Sequence, residues 1–163
     1  MMIDRRTRIP TLGPRGEGWV IIQAVVLVGV AVVGLLGARW PEHLQAPALV
    51  AAIASGVAGL WLAASGVRTL GTSLSPLPRP PTASELTESG VYALVRHPIY
   101  GGILLVALAW SLALSPWALV PTGLLAVALA LKSRLEEEWL VDRHPGYASY
   151  RERVHRRFVP YLW

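Results

Sequence analysis

PIYGGILLVALAWSLALSPWALVPTGLLAVALAL, residues 98–131, runs without a charged side chain. As one helix it would extend about 50 Å, well past a hydrocarbon core of about 30 Å. Ser115-Pro116 supplies the break. Proline disfavours helical geometry in the residue before it and suits the first turn of a new helix, with Ser115 as the N-cap. The stretch therefore reads as two short antiparallel helices, 99–114 and 116–132, joined by a minimal turn. Each is near the lower length limit of about 17 residues for a membrane crossing.

Two further apolar runs lie upstream. Gly18 to Ala38 carries no charge and only one strongly polar residue, Gln23. A signal peptide competes for this run, because Arg5, Arg6, Arg8 and Arg15 precede it. The run exceeds a usual h-region of about 7–15 residues and ends in a poor cleavage site, so it reads as a retained span. Leu44 to Val67 is the second run, with Ala51, Ser55, Gly59 and Ala63 recurring every four residues. That spacing builds a ridge on which another helix backbone can approach closely. The spans are expected at about 18–39, 45–67, 99–114 and 116–132.

Composition agrees. The 163 residues are 53% hydrophobic and 15% charged, with mean hydropathy +0.47. A soluble domain carries about 25% charged residues and a disordered chain is far less apolar. The expected class is an all-α integral membrane protein in a single domain, 1–163, with a helical or interfacial segment after its last hairpin. Cysteine is absent, which excludes disulfides and a thiolate nucleophile.

Four spans place fourteen of the fifteen Lys and Arg residues on one side and leave Arg39 alone on the other. Positive charge marks the cytoplasmic side, so both termini are expected there, in an inner membrane of prokaryotic type. The uncharged runs lack the ionisable groups that ion-coupled transport generally needs. His43, His97, His144 and His155 show no metal-ligand spacing, and no metal is expected. The basic tail needs no nucleic acid to explain it next to an anionic leaflet.

Polar chemistry concentrates at 86–102 and 133–160. Arg96-His97 enters the third span and Glu136-Glu137 leaves the fourth, so the hairpin brings a cationic and an anionic pair to one cytoplasmic mouth. Opposite charges at such a cleft suit a zwitterionic ligand. The residues also have plainer readings. Arg96 can be a helix-end anchor, and Lys132–Glu136 and Arg134–Glu138 can be i,i+4 pairs. Tyr147 and Tyr150 can be interfacial packing groups. Thr82 and Glu85 fit a capping box for a short helix in the middle loop.

Gly90-Val-Tyr92, Arg96-His97-Pro98-Ile99-Tyr100 with Gly102, the hairpin, Glu136-Glu137 with Leu140, and Tyr147-x-x-Tyr150 with its basic tail stand in order. Together they resemble the isoprenylcysteine carboxyl methyltransferase and phospholipid methyltransferase group of integral membrane enzymes. The resemblance implies S-adenosyl-L-methionine as cofactor and a small or lipophilic methyl acceptor in the bilayer. It implies His97, Pro98, Tyr100, Gly102, Glu136 and Glu137 as cofactor-pocket residues. Arg96 and His97 become the candidates for catalysis, with Arg96 toward the cofactor carboxylate or the acceptor. Sterol-reductase-like proteins resemble the same C-terminal architecture, so an NADPH-dependent membrane reductase stays open, as does a non-enzymatic scaffold.

Overall fold

The computed structural model describes residues 9–79 and 86–160. Its helices are α1 (Glu17–Leu36), α2 (Glu42–Leu70), α3 (Pro98–Leu114), α4 (Leu119–Arg143) and the short α5 (Tyr147–Arg153). Single 3-10 turns sit at Gly71–Ser73, Gly90–Ala93 and Pro116–Ala118, and no strand occurs among the described residues. Three helical stretches, Glu17–Leu36, Glu42–Ser73 and Pro116–Arg143, are long and apolar enough to cross a membrane. The fourth, α3, is apolar but spans only 17 residues. The capping box of Thr82 and Glu85, and Arg5, Arg6 and Arg8, lie outside the described residues.

Local chemistry sets the hairpin. The α3 helix stops at Leu114, and the Ser115 hydroxyl accepts the Trp117 N–H at 3.3 Å. Pro116 opens the 3-10 turn, and Pro121 falls in the first turn of α4, where its missing N–H costs nothing. The hairpin partners are not each other's main contacts, however. α3 packs chiefly on α2, and α4 on α1. The ridge on α2 does what its spacing predicts. Ser55 donates to the Leu105 carbonyl at 2.8 Å, and Gly59 meets Gly102 so closely that a Cβ on either would strike the opposite backbone.

Large apolar side chains face outward along α1, α2 and α4, among them Val25, Val28, Val57, Leu60, Leu124 and Val127. That is the pattern of a surface solvated by lipid rather than water. Trp61 joins this outer face at 56% exposure. Inside, Val30, Ala107, Leu125 and Leu129 close around Phe158.

The two ends of the bundle differ. At one end the α1–α2 and α3–α4 turns meet: the Ser115 hydroxyl donates to the Ala38 carbonyl at 2.7 Å, and the Trp40 indole to Ser111 at 3.2 Å. At the other end the N-terminal arm, the 71–79 segment, the 86–97 segment and the tail converge. There Arg79 donates to the carbonyls of Arg15 and Pro14. The tail does not lie as an amphipathic surface strip. It folds beneath the bundle, with Phe158 fully buried.

Candidate functional site

The tail is pinned where α3 begins. His97 is non-helical and Pro98 takes the first helical position, so the N–H groups of Arg96 and His97 have no partner within the helix. They donate to the carbonyls of Arg156 and Arg157, at 3.1 and 2.8 Å. The Arg96 guanidinium completes the attachment through the carbonyls of Val154 at 2.6 Å and His155 at 2.9 Å.

Behind this attachment lies a buried ion-pair hub. Glu137 is 3% exposed and Arg96 8%. One Glu137 oxygen takes the Arg96 Nε at 2.9 Å and meets His97 Nε2 at 3.0 Å. The other takes Arg157 at 3.3 Å. Arg96 therefore does not stand open at a mouth as a separate cation facing an acidic pair. It is already neutralised.

Glu136 and Glu137 part company because neighbours on an α-helix project about 100° apart. While Glu137 turns to the hub, Glu136 accepts the Tyr100 hydroxyl at 2.8 Å and lies 3.9 Å from His97 Nδ1. Tyr100 follows His97 by three positions across the start of α3, and their rings stack at 5.5 Å with 4° between planes.

Glu136, His97, Tyr100 and Arg96 line a cavity of about 370 Å³ at this end of the bundle. Its remaining walls are mostly apolar, from Val20 on α1, Val67 and Leu70 on α2, Leu74 and Leu77, and Ile103. Tyr92, Tyr147 and Tyr150 close it below. Tyr150 and Tyr147 are buried rather than interfacial, and the Tyr150 hydroxyl donates to the Tyr92 carbonyl at 2.7 Å. Burial pushes the phenols of Tyr92, Tyr147 and Tyr150 above their ordinary range, so they remain neutral donors.

The expected site residues thus divide. Arg96, His97, Tyr100 and Glu136 line the cavity; Pro98, Gly102 and Glu137 stand outside its lining. Pro98 starts α3, Gly102 makes the close contact with α2, and Glu137 braces Arg96 and His97. Among the lining residues that carried no such expectation are His144, which caps α4, and the pair Lys132 and Gln23, joined at 2.8 Å. The lone polar residue of the first apolar run was the signal available for that pair.

The fold and site define an all-helical integral membrane protein with a partly polar cavity at one end of its bundle. The chain belongs to the phospholipid methyltransferase family, whose pattern matches residues 47–146. It is also 35% identical over 97 residues to the Delta(14)-sterol reductase of Mus musculus, covering 56% of this chain and 23% of that relative. The chain therefore spans about a quarter of the curated relative's length. No solved structure matches it.

Proposed function

We propose that the cavity binds S-adenosyl-L-methionine and that the chain transfers its methyl group to a lipophilic or small acceptor at the cytoplasmic face of the membrane. The observation that carries this reading is the convergence of Arg96, His97, Tyr100 and Glu136, four of the seven site residues that the family resemblance implies, on one cavity of about 370 Å³. Small-molecule sites usually hold about 300–1,000 Å³ with few polar groups among apolar walls.

The donor set suits the cofactor. Glu136 accepts hydrogen bonds, as an ammonium or ribose hydroxyls require. The aromatic faces of Tyr92 and Tyr147 favour a cation held above them. When bound, the sulfonium supplies an electrophilic methyl and departs as a neutral thioether. The chain's part is to hold, orient and dehydrate the reacting groups. Glu137 fixes the His97 ring through Nε2, leaving Nδ1 toward Glu136. Arg96 acts as a positioning residue that anchors the tail beneath the cavity.

A second reading, NADPH-dependent reduction, is favoured by the sterol reductase similarity. The two differ in charge: the dinucleotide brings several phosphates, the sulfonium compound a cation and an amino-acid end. In detergent, S-adenosyl-L-methionine or its demethylated product is expected to raise the melting temperature of the full chain. At a hundredfold excess over Kd the stabilisation is about 2.7 kcal/mol. A rise with NADPH and none with either sulfur compound would select the reductase.

The same proposal has four crossings, with α3 as a short third span and both termini cytoplasmic. The meeting of both turns at one end and of arm, loops and tail at the other supports it, as does the charge distribution. The absence of native cysteine makes single-cysteine labelling clean. Thr11→Cys and Arg153→Cys are expected to label from the cytoplasm and Glu42→Cys from outside. Termini labelled from opposite sides would overturn the count.

A further inference from the structure

Between α1 and α2 the cavity wall is a strap rather than a helix. α2 packs chiefly on α3 and α1 on α4, so helix packing does not close the seam between α1 and α2. The segment 71–79 crosses from the end of α2 to the arm that precedes α1, and Ser73 to Leu77 line the cavity along the way. Among the described residues, the hydrogen bonds of 73–77 stay within the segment. The Leu74 N–H donates to the Gly71 carbonyl at 3.3 Å and the Leu77 N–H to the Ser75 hydroxyl at 3.2 Å. The strap therefore has no polar attachment to the helices that it covers.

Its two ends differ. Gly71 has φ 52° and ψ −121°, a conformation that glycine adopts at little cost. A Cβ there would meet nothing within 4 Å, so no neighbour fixes this pivot. The far end is a catch. Pro78 is fully buried, and a Cβ on Gly16 would come within 2.8 Å of its ring. The Arg79 N–H donates to the Arg15 carbonyl at 3.3 Å, and its guanidinium to the Pro14 carbonyl at 3.2 Å. The arm beneath the catch is stiff by comparison. The Trp19 indole donates to the Pro10 carbonyl at 2.9 Å, and the Gly18 N–H to the Leu12 carbonyl at 2.8 Å. Element-terminal residues that absorb backbone rotation are where hinges form, and a segment with few attachments opens more readily than the core.

We propose that 71–79 is a lid that swings at Gly71 and closes on the N-terminal arm, so that the contacts of Pro78 and Arg79 with Gly16, Pro14 and Arg15 control ligand exchange with the cavity. Gly16 and the rest of the arm precede the family match at 47–146, so the matched pattern does not contain the post on which the lid closes. The lid stands on the geometry of the cavity wall. Only the choice of S-adenosylhomocysteine as the exchanging ligand rests on the methyltransferase reading.

The chain has no cysteine, so a single reporter can be placed behind the lid. Ile103→Cys puts a thiol on the α3 wall of the cavity, and a charged, water-soluble maleimide reads its accessibility in the full chain in detergent. Gly16→Ala with Arg79→Ala breaks the catch, since the new methyl group strikes the Pro78 ring and the guanidinium bond is lost. Labelling of Ile103→Cys is expected to become about tenfold faster in that background, equivalent to about 1.4 kcal/mol of lost closure. Gly123→Ala, remote from the lid, should leave the rate as it is. Leu129→Cys reports on the buried core away from the cavity lining, and its labelling should stay slow with the catch broken. S-adenosylhomocysteine is expected to leave the catch variant about tenfold faster than wild type, the same difference read on the ligand. Equal labelling of Ile103→Cys with the catch intact and broken would overturn the lid. So would faster labelling of Leu129→Cys alongside it, which would mean general loosening, or an unchanged release of S-adenosylhomocysteine. Faster labelling of Ile103→Cys alone, with no S-adenosylhomocysteine bound by wild type, would uphold the lid and remove the methyltransferase reading instead.

Discussion

Glu137→Ala is expected to destabilise the protein by about 3–5 kcal/mol, the usual cost of stripping one partner from a buried ion pair. The reason is the number of groups it satisfies at once. Arg96, His97 and Arg157 all meet its carboxylate, and the Arg96 side chain is only 6% exposed. Without the carboxylate, Arg96 keeps the carbonyls of Val154 and His155 but no counter-charge. Glu137→Gln should cost less, because an amide oxygen still accepts one hydrogen bond. Both variants should also loosen cofactor affinity, since His97 loses the group that orients it. The measurement is thermal unfolding in detergent for both variants beside Glu138→Gln, which is expected to stay near wild type. A Glu137→Ala melting temperature equal to that of Glu138→Gln would show that the hub does not hold the fold together.

Gly101→Ala is expected to cost about 3 kcal/mol although it adds one methyl group. A Cβ at Gly101 would run into the Phe158 carbonyl and carbon, which are backbone atoms. The tail there cannot yield locally, because His97 and Arg96 bind the carbonyls of Arg157 and Arg156. The relief available is to lift the tail, which exposes the fully buried Phe158 ring. Burying such a side chain is worth about 1.5–3 kcal/mol, and the lost hydrogen bonds add to that. Gly123→Ala is the control. No atom lies within reach of its Cβ, and alanine favours a helix over glycine by about 1 kcal/mol. It should leave the melting temperature unchanged or raise it. Equal behaviour of the two alanine variants would contradict the packing of the tail against α3.

These two sites mark where sequence reading succeeds and where it stops. Ser115-Pro116 carries its own local chemistry, so the break between α3 and α4 is legible from two residues. The small residues on α2 announce a close helix contact but not its partner. α3 fills that role, because Gly102 and the backbone near Leu105 present the matching flat surface. Glu136-Glu137 reads as one acidic pair, yet helical geometry sends the two carboxylates to different tasks. The tail reads as a basic aromatic strip for a lipid surface. It is drawn under the bundle instead, because the backbone N–H groups before Pro98 need acceptors and Phe158 needs a core. Lys132 and Gln23 meet across α4 and α1, 109 positions apart, a distance over which no periodic pattern carries information.

The central claim is that the cavity around His97, Tyr100 and Glu136 serves a methyl donor. Equilibrium titration of labelled S-adenosyl-L-methionine onto the purified full chain, with unlabelled NADPH as competitor and Glu136→Gln as variant, tests it most directly. The account predicts saturable binding that NADPH does not displace and that Glu136→Gln weakens about tenfold or more, as the loss of a charged partner in a partly desolvated site requires. Displacement by NADPH, or equal affinity in wild type and Glu136→Gln, would contradict it.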